Sequence, residues 1–256
     1  MRLISWNVNG LRAIEKKGFR EWLLINNPDF LCLQETKANP DQLSAELLNI
    51  PGYYSYFSSA EKKGYSGVAI YCKNAIKVIE YGIGVKAFDS EGRIIIAEIA
   101  SNILLYNIYF PNGNQSPARL KYKLEFYEAV LAHMQAQRKL GKAIICCGDV
   151  NTAHLPIDLA RPKENENNSG FLPVERAWID RLIGSGYIDT FRHFNNKSGE
   201  YSWWDYKTRA RERNIGWRID CFYICTELLE YLRNAFIMKE VSGSDHCPIG
   251  IEIDVL

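Results

Sequence analysis

Polar side chains follow or precede several apolar segments of this sequence, at the points where strands would end or begin. These side chains belong to Asn7, Asn9, Glu35, Tyr109, Asn112, Asp149, Asn151, Asp220, Asp245 and His246. A buried carboxylate is costly unless it is paired with a cation or bound to a metal. Because so many segment ends carry such groups, we expect one shared site rather than independent coincidences.

Strand geometry predicts how these groups could meet. Side chains two residues apart in a strand share a face, so Asp149 and Asn151 can point to one place while Val150 packs away. The same holds for Asn7 and Asn9. Residues at the end of one strand and at the start of an antiparallel neighbour lie at the same rim of a sheet. We therefore predict a single cluster at one rim.

A rim of this composition offers mainly oxygen ligands, with one histidine and no thiolate. Such ligands suit Mg²⁺, and Mn²⁺ as its substitute. A cation there would polarise a phosphoryl oxygen, help to activate water and offset the charge of a leaving alkoxide. Taken singly, the residues also fit plainer roles: the asparagines in turns, Glu35 at an exposed helix start, and Asp149 in a loop-ordering turn.

The elements that must position these residues alternate along the chain. Apolar and β-branched runs predict strands at Leu3–Val8, Phe30–Gln34, Tyr65–Cys72, Arg93–Ile99, Leu104–Phe110, Ala143–Asp149, Ile219–Cys225 and Ile249–Val255. Helices are predicted at Lys17–Ile25, Pro40–Leu48, Pro117–Lys139, Pro173–Ile183 and Glu227–Leu232. This alternation favours an α/β sandwich of mixed sheets, in one domain over residues 1–256.

Composition is that of an ordinary globular chain. The 256 residues include 31 Lys+Arg and 30 Asp+Glu, so the net charge of +1 does not by itself indicate a nucleic-acid or membrane partner. No apolar run approaches the ~20 residues of a membrane span, and the first ten residues do not resemble a secretory signal. Seven cysteines, mostly in apolar runs, are expected to be reduced. We expect a cytoplasmic, nucleoid-associated protein that does not bind membranes.

Eight sequence blocks together resemble a known family. They are SWNVNGLRA, LCLQETK, GYSGVAIY, NIYFPNG, CGDVNTAH, SGFLPVERAWID, GWRID and GSDHCPI, which run in order from about Ile4 to Ile249. The series resembles the exonuclease III-type apurinic/apyrimidinic endonucleases of the endonuclease/exonuclease/phosphatase superfamily. The resemblance implies a four-layer α/β sandwich, with two mixed β-sheets packed face to face and flanked by helices.

The resemblance also implies an activity. It is the Mg²⁺-dependent hydrolysis of the phosphodiester 5′ to an abasic site in duplex DNA, which leaves a 3′-hydroxyl and a 5′-deoxyribose phosphate. It further implies 3′→5′ exonuclease and 3′-end-cleaning activities, including 3′-phosphodiesterase, on 3′-blocked ends. We expect the enzyme to act as a monomer.

Site roles follow from the same resemblance. Catalytic roles are implied for Asp149, which orients or deprotonates the attacking water, and for Asn151, His246, Asp220 and Tyr109. The metal neighbourhood is implied to contain Glu35 as the main carboxylate, together with Asn7, Asp149, Asn151, Asp245 and His246. Asn9 and Asn112 are assigned to DNA. Asn9 stands where some relatives have aspartate, which leaves a second metal position open.

The segment from Trp203 to Arg218 combines aromatic and basic residues. Cations contact phosphates, and aromatic rings offer flat surfaces to a sugar or a displaced base. By the resemblance, Trp203 and Trp217 line an abasic-sugar pocket, while Lys207 and Arg209 contact DNA. A solvated charged loop over buried aromatics is the plainer interpretation. A second basic patch, Arg119, Lys121 and Lys123, begins the long helix.

Two other functions stay open at this level. One is a phosphatase or phosphodiesterase of the same superfamily acting on inositol phosphates or a sphingomyelin-like substrate. The Trp/Arg segment and the lack of an apolar membrane-binding loop argue against it. The other is a catalytically silent DNA- or protein-binding module, which the presence of all the implied catalytic residues argues against.

Overall fold

Two six-stranded sheets form the centre of the computed structural model, which describes residues 1–76 and 79–255. The strands are β1 (Arg2–Asn7), β2 (Phe30–Gln34), β3 (Tyr54–Ser58), β4 (Val68–Cys72), β5 (Ile79–Tyr81), β6 (Ile94–Ala100), β7 (Ile103–Tyr109), β8 (Ala143–Asp149), β9 (Tyr187–Asp189), β10 (Trp203–Trp204), β11 (Gly216–Trp217), β12 (Asp220–Cys225), β13 (Leu232–Ile237) and β14 (Ile249–Ile253). The helices are α1 (Leu11–Glu15), α2 (Phe19–Asn26), α3 (Ala45–Leu48), α4 (Lys86–Asp89), α5 (Pro117–Lys139), α6 (Pro162–Asn165), α7 (Pro173–Gly184) and α8 (Thr190–Phe194). Short 3₁₀ helices cover Pro40–Gln42, Pro156–Asp158, Ala210–Arg213 and Thr226–Tyr231.

Both large sheets are mixed. The first has the order β13-β14-β1-β2-β4-β3 and the second β5-β6-β7-β8-β12-β9. In each sheet one central pair is parallel, β1 with β2 and β7 with β8, and the other pairs are antiparallel. Strands β10 and β11 form a separate two-stranded ribbon. The predicted mixed sandwich is therefore confirmed.

Alternation along β1 shows how the layers form. Leu3 belongs to the hydrophobic core that includes the facing sheet, whereas Ile4 and Trp6 pack in a second core with α1 and α2. Side chains of period two bury both faces of a central strand in this way. On the other side, α5 and α7 cover the second sheet, with Phe126 and Trp178 in its core. The result is four layers, helices outside and sheets inside.

Polar side chains join the two sheets near the rim. Gln34 Nε2 donates to Ser5 Oγ at 2.9 Å and to Asn107 Oδ1 of the facing sheet at 2.8 Å. Asn107 in turn donates to the carbonyl of Ala69 at 2.8 Å. Because these groups are buried, each lost hydrogen bond would leave an unpaired polar atom. The network therefore fixes the relative position of the strands that carry the polar rim.

The long helix α5 has its predicted bounds and most of its predicted buried face. Ser116 precedes Pro117, an order that predicts a helix N-cap, and it caps α5 by accepting from the amide of Arg119. Apolar residues at three- and four-residue steps predict a core-facing stripe of Leu120, Leu124, Tyr127, Leu131 and Met134. Tyr127, Leu131 and Met134 are buried, which confirms most of the stripe, whereas Leu120 and Leu124 are only half-buried. Lys123 and Phe126, which lie outside the predicted stripe, are buried as well, and Lys123 can be buried because it is paired with a buried carboxylate. A lysine in the sequence of a helix therefore does not by itself mark the exposed face.

Other elements differ from the sequence predictions. Strand β4 begins at Val68 rather than at Tyr65, because Ser66 and Gly67 have positive φ and form a turn. The stretch Pro40–Leu48 divides into a 3₁₀ helix and α3, and Glu227–Leu232 is the 3₁₀ turn Thr226–Tyr231. Strands β3, β5, β9 and β13 and the β10–β11 ribbon were not predicted, since they are short or lie at sheet edges.

All seven cysteines are buried and unpaired. In the described chain, no helix has the length and apolarity of a membrane span.

Candidate active site

Polar strand ends meet at one rim of the sandwich, as predicted. Asp149 at the end of β8 lies opposite Asp220 at the start of β12, and Tyr109 at the end of β7 neighbours Asp149 on its other side. Asn7 ends β1 on the facing sheet and donates from Nδ2 to Asp149 Oδ2 at 2.9 Å. The rim therefore draws residues from both sheets.

Asp149 is held by three donors. Besides Asn7, it accepts from the backbone amide of Asn151 at 2.8 Å and from Asn151 Nδ2 at 3.1 Å. Asn151 has φ 56°, so the chain turns sharply just beyond the strand. Burial raises the pKa of Asp149 to about 7, against the opposing charge of His246. The loop-ordering role considered for Asp149 is present, together with its place in the cluster.

His246 lies between the two aspartates. Its Nδ1 is 2.8 Å from Asp220 Oδ2, and its Nε2 is 3.9 Å from Asp149 Oδ2. Burial alone lowers the pKa of His246, but the charge and hydrogen bond of Asp220, followed by the charge of Asp149, raise it to about 10. The ring is therefore an imidazolium near neutral pH. Ser202 Oγ donates to Asp220 at 2.6 Å and fixes its orientation.

Glu35 follows β2 in a turn with φ 51°. Tyr109 donates its hydroxyl hydrogen to Glu35 Oε1, and the ammonium of Lys37 lies 2.7 Å from Glu35 Oε2. Burial tends to raise the pKa of Glu35, but Lys37 and then the Tyr109 hydrogen bond lower it below its usual value. Burial and Glu35 hold the pKa of Tyr109 well above its usual value, so its phenol remains a donor.

Lys37 is a site residue that the sequence analysis missed. Its ammonium also donates to Asn9 Oδ1, so it bridges Glu35 and Asn9. Asn9 Nδ2 donates to Asp245 Oδ1 at 2.9 Å. The one available signal was its position two residues after Glu35 in QETK, and lysine at a strand end usually indicates only a solvated surface. The structure places it inside the cluster.

The donors at this rim suit a hard divalent cation. Asp149, Asp220 and His246 are buried, and one polar atom of each lies within 4.8 Å of the others. Both ring nitrogens of an imidazolium carry hydrogen, so in this protonation state the carboxylates rather than His246 supply ligand atoms. Asp220 Oδ1 is buried and has no hydrogen-bond partner among the described residues. Carboxylates of Glu35 and Asp245 face the adjoining cavity. Such oxygen-rich sets match Mg²⁺ or Mn²⁺ rather than a thiolate-binding metal.

A cavity of about 380 Å³ opens in front of the cluster. Its walls include Trp203 and Trp217, whose ring centroids are 6.4 Å apart at an interplanar angle of 80°. Trp203 Nε1 donates to Asp245 Oδ2 at 3.1 Å, which ties the aromatic wall to the polar rim. Asn112 lies at the opening, and its amide donates to Asn151 Oδ1 at 3.2 Å.

Comparison with known proteins identifies the chain's family. Residues 4–246 match the model of the endonuclease/exonuclease/phosphatase family. This chain belongs to that family. It is 43% identical over 258 residues, the full length of both chains, to an exodeoxyribonuclease of Bacillus subtilis (strain 168). It is 38% identical over 258 residues to the DNA-(apurinic or apyrimidinic site) endonuclease of Dictyostelium discoideum, covering 100% of this chain and 71% of that protein.

A solved structure agrees with the family assignment. An AP endonuclease from Archaeoglobus fulgidus superposes with a TM-score of 0.91 and 29% sequence identity, over 100% of both chains. The resemblance to exonuclease III-type endonucleases is thus confirmed, and so is the expectation of an enzyme with the four-layer fold. For this member of the endonuclease/exonuclease/phosphatase family, the roles of individual residues stay predictions.

The basic loop of this family member lies beside the cavity rather than in it. Lys207 and Arg209 are exposed, and Arg209 borders a separate cavity of about 450 Å³ that shares Asp245 with the first. Arg211 Nη2 donates to the carbonyl of Val241 at 2.6 Å. Arg218 is buried in ion pairs with two aspartates and cannot contact DNA phosphates.

The second basic patch is also mostly inaccessible. Lys123 is fully buried, and Arg119 is paired with Glu91 at 2.7 Å, which leaves Lys121 as its one well-exposed cation. The basic residues are evident from the sequence, but their ion-pair partners are not. Of the residues predicted for DNA, Asn9, Asn112, Trp203 and Trp217 lie around the cluster and cavity, and Lys207 and Arg209 lie outside them.

Proposed function

We propose that the protein is a Mg²⁺-dependent DNA repair endonuclease that hydrolyses the phosphodiester 5′ to abasic sites in duplex DNA. The observation that carries the proposal is the position of the carboxylate–histidine cluster, which opens directly into a cavity walled by two tryptophans. Phosphate chemistry and sugar recognition are thereby placed side by side. The names of its nuclease relatives support the same substrate class.

Glu35, with Asn7 and Asp245 nearby, would hold the cation. When bound, Mg²⁺ supplies charge stabilisation at the phosphoryl oxygens and at the leaving oxygen. The ammonium of Lys37 is already paired with Glu35, so a metal ion would compete with it for this carboxylate. Mn²⁺ has similar ligand preferences and would substitute.

Asp149 is suited to orient and deprotonate the attacking water. A general base works best with a pKa near the operating pH, and burial raises the pKa of Asp149 to about 7. Asn7 and Asn151 fix the direction of its carboxylate. His246, charged through Asp220, would stabilise the negative charge that grows on the phosphate. Tyr109 would face the same phosphate with its hydroxyl.

The tryptophan-walled cavity would receive the baseless sugar. An abasic nucleotide lacks stacking and pairing, so its rotation out of the duplex is cheap. Trp203 and Trp217 offer flat surfaces for the sugar, while an intact nucleotide must pay for unstacking and fit its base as well. Asn9 and Asn112 would contact the flanking backbone. Exposed Lys207 and Arg209 would bind phosphates of the same duplex.

The same chemistry extends to DNA ends. A 3′-blocked terminus presents a phosphate beside a sugar without a following base pair, so 3′-phosphodiesterase and 3′→5′ exonuclease activities belong to the proposal. We propose action as a monomer in the cytoplasm, on nucleoid DNA. One domain over residues 1–256 stays a prediction.

A substrate panel tests this function. A labelled duplex with one abasic analogue, an intact duplex, a 3′-recessed duplex and inositol phosphates are each incubated with Mg²⁺ or EDTA. We expect metal-dependent cutting at the abasic position, weaker shortening of the recessed end and no phosphate release from inositol phosphates. Phosphate release from the small substrates without DNA incision would establish the alternative phosphatase. Binding to DNA without any cutting would establish the silent module.

A further inference from the structure

A buried ion pair lies directly behind the cavity, and the chemistry proposed above does not use it. Lys123 Nζ on α5 is 2.6 Å from Glu175 Oε1 on α7, and both side chains are fully buried. A buried ion pair gains little over well-packed apolar residues, because both charges lose their hydration. Its presence at the interface of two helices therefore points to a role other than stability.

The ammonium of Lys123 is fully used by three partners. Besides Glu175, it donates to the backbone carbonyl of Asn151 at 2.8 Å and to Thr152 Oγ1 at 2.9 Å. An ammonium has three hydrogens, so no donor is left over. Asn151 is the residue with positive φ whose amide faces Asp149. Lys123 thus fixes the backbone of Asn151 from the side away from the cavity, and this backbone sets the direction of the Asn151 side chain.

The carboxylate of Glu175 binds the neighbouring part of the cavity wall, at Ser169 and Gly170. It accepts from Ser169 Oγ at 2.7 Å, from the amide of Gly170 at 2.6 Å and from the amide of Leu172 at 3.1 Å. Gly170 has φ +99°, and a Cβ there would lie 3.2 Å from the ring of Trp217. The glycine backbone therefore packs against the tryptophan edge at a distance that Glu175 sets.

The segments that Lys123 and Glu175 contact are adjacent in the cavity wall. The carbonyl of Gly170 accepts from the amide of Ala153 at 2.8 Å, which joins the segment after Asn151 to the segment after Ser169. Two loops that follow different elements are thus linked both by this bond and by the ion pair. Both loops are tied to the two charges, and Gly170 of one loop packs beside Trp217.

We propose that Lys123 and Glu175 are positioning residues that set the width of the sugar cavity and the aim of Asn151, and thereby the preference for a baseless sugar over an intact nucleotide. Neither side chain lines the cavity, so both act through Asn151 and Gly170. This inference rests on the proposed function, because the ligand it concerns is the abasic nucleotide. It adds a determinant of selectivity outside the catalytic rim.

The test compares binding of two duplexes without chemistry. Fluorescence anisotropy in EDTA gives the dissociation constant for a duplex with one tetrahydrofuran abasic analogue and for its intact counterpart. The double variant Lys123→Met with Glu175→Gln removes both charges at nearly constant volume. We define the affinity ratio as the dissociation constant of the intact duplex divided by that of the abasic duplex, and we expect it to fall about tenfold, the equivalent of about 1.4 kcal/mol. The dissociation constant of the intact duplex should stay within about twofold of the original.

A stability-matched variant separates positioning from general destabilisation. Leu23→Ala creates a cavity in the other helical layer, in a core none of whose members lines the sugar cavity. It should lower the melting temperature and leave the affinity ratio unchanged. An unchanged ratio in the double variant would overturn the positioning role. If the double variant does not fold, Lys123→Met alone supplies the test, since the Glu175 carboxylate keeps its three other donors, Ser169 Oγ and the amides of Gly170 and Leu172.

The outcomes also distinguish the inference from the function beneath it. If the unaltered protein shows no preference for the abasic duplex, the proposed function fails and the inference falls with it. If the unaltered protein prefers the abasic duplex and the variants without the ion pair do so equally, only the positioning role of Lys123 and Glu175 is wrong. A reduced ratio in the variants and a normal ratio in Leu23→Ala support both.

Discussion

Asp149 and Asp220 lie directly opposite each other on the adjacent antiparallel strands β8 and β12. Two like charges in this relation repel each other across a sheet. His246 offsets the repulsion, because its Nδ1 is 2.8 Å from Asp220 and its Nε2 is 3.9 Å from Asp149. The register of the two strands thus brings two acids and an imidazolium together, and Asp149 and His246 line one cavity.

Replacement of Asp149 tests its role as the base. Asp149→Asn keeps the shape of the side chain but cannot accept a proton, so single-turnover incision of an abasic duplex should slow by about 10²–10⁴. Binding of the duplex in EDTA should change little, because the contacts to DNA come from other residues. Thermal unfolding of the variant is the control for folding. Near-normal turnover would remove Asp149 from the mechanism.

Removal of the Lys37 ammonium should strengthen metal binding. A positive charge 2.7 Å from Glu35 competes with a divalent cation for the same carboxylate. Lys37→Met should therefore lower the dissociation constant for Mn²⁺ or Mg²⁺, measured calorimetrically without DNA, by about tenfold. Lys73→Met is a matched control, because Lys73 pairs with Asp29 at 3.0 Å in another part of the chain. Weaker metal binding by Lys37→Met would show that the lysine organises the site instead.

The exposed loop should contribute phosphate contacts. Arg209→Gln removes the charge and keeps a polar side chain of similar length. Affinity for the abasic duplex should fall, and the slope of log affinity against log salt should decrease by about 1. The control is Arg233→Gln, at an exposed arginine of β13 that is paired with Asp254. Identical salt slopes for Arg209→Gln and the original protein would exclude the contact.

Asp158 predicts a pH dependence of stability. Burial tends to raise the pKa of this carboxyl, but Arg218 and Arg192 outweigh it and hold the pKa below its usual value. Because the folded-state pKa is lower than the unfolded one, the stabilisation is complete above about pH 3.9. It is lost as the pH falls through the folded-state value.

Urea denaturation at pH 7 and at pH 3 measures this contribution. Asp158→Asn leaves two buried guanidinium groups without their shared carboxylate and should cost about 3–5 kcal/mol at pH 7. The difference between the original protein and the variant should narrow toward pH 3. A difference that stays constant over this range would show that the Asp158 charge contributes nothing.

Much of the rim could be predicted from the sequence, because two kinds of local information carry it. Strand alternation puts Asn7 on the inner face, and polar residues at segment ends mark Glu35 and Asp149. The antiparallel pairing of Asp149 with Asp220 brings the end of one strand to the start of the other, as the rim argument required. Family resemblance supplied the roles that these patterns do not encode.

Burial of charged residues could not be predicted in the same way. Lys123 and Arg218 looked like surface cations, but their partners Glu175 and Asp158 come from distant parts of the chain. Lys37 escaped attention because its contact with Asn9 depends on how two loops fold together. Three-residue strands such as β5 and β9 are too short for a periodic pattern. Each of these features depends on tertiary packing rather than on local sequence.

The fate of the attacking oxygen tests the central claim most directly. A duplex with one abasic site is incised under single-turnover conditions in ¹⁸O-labelled water with Mg²⁺, and both fragments are analysed by mass spectrometry. Water attack on phosphorus, with departure of the 3′-oxygen, predicts one ¹⁸O in the 5′-deoxyribose phosphate and an unlabelled 3′-hydroxyl. An unlabelled phosphate with an unsaturated 3′ aldehyde, or cutting that persists in EDTA, would contradict metal-assisted hydrolysis at the Glu35–Asp149–His246 rim.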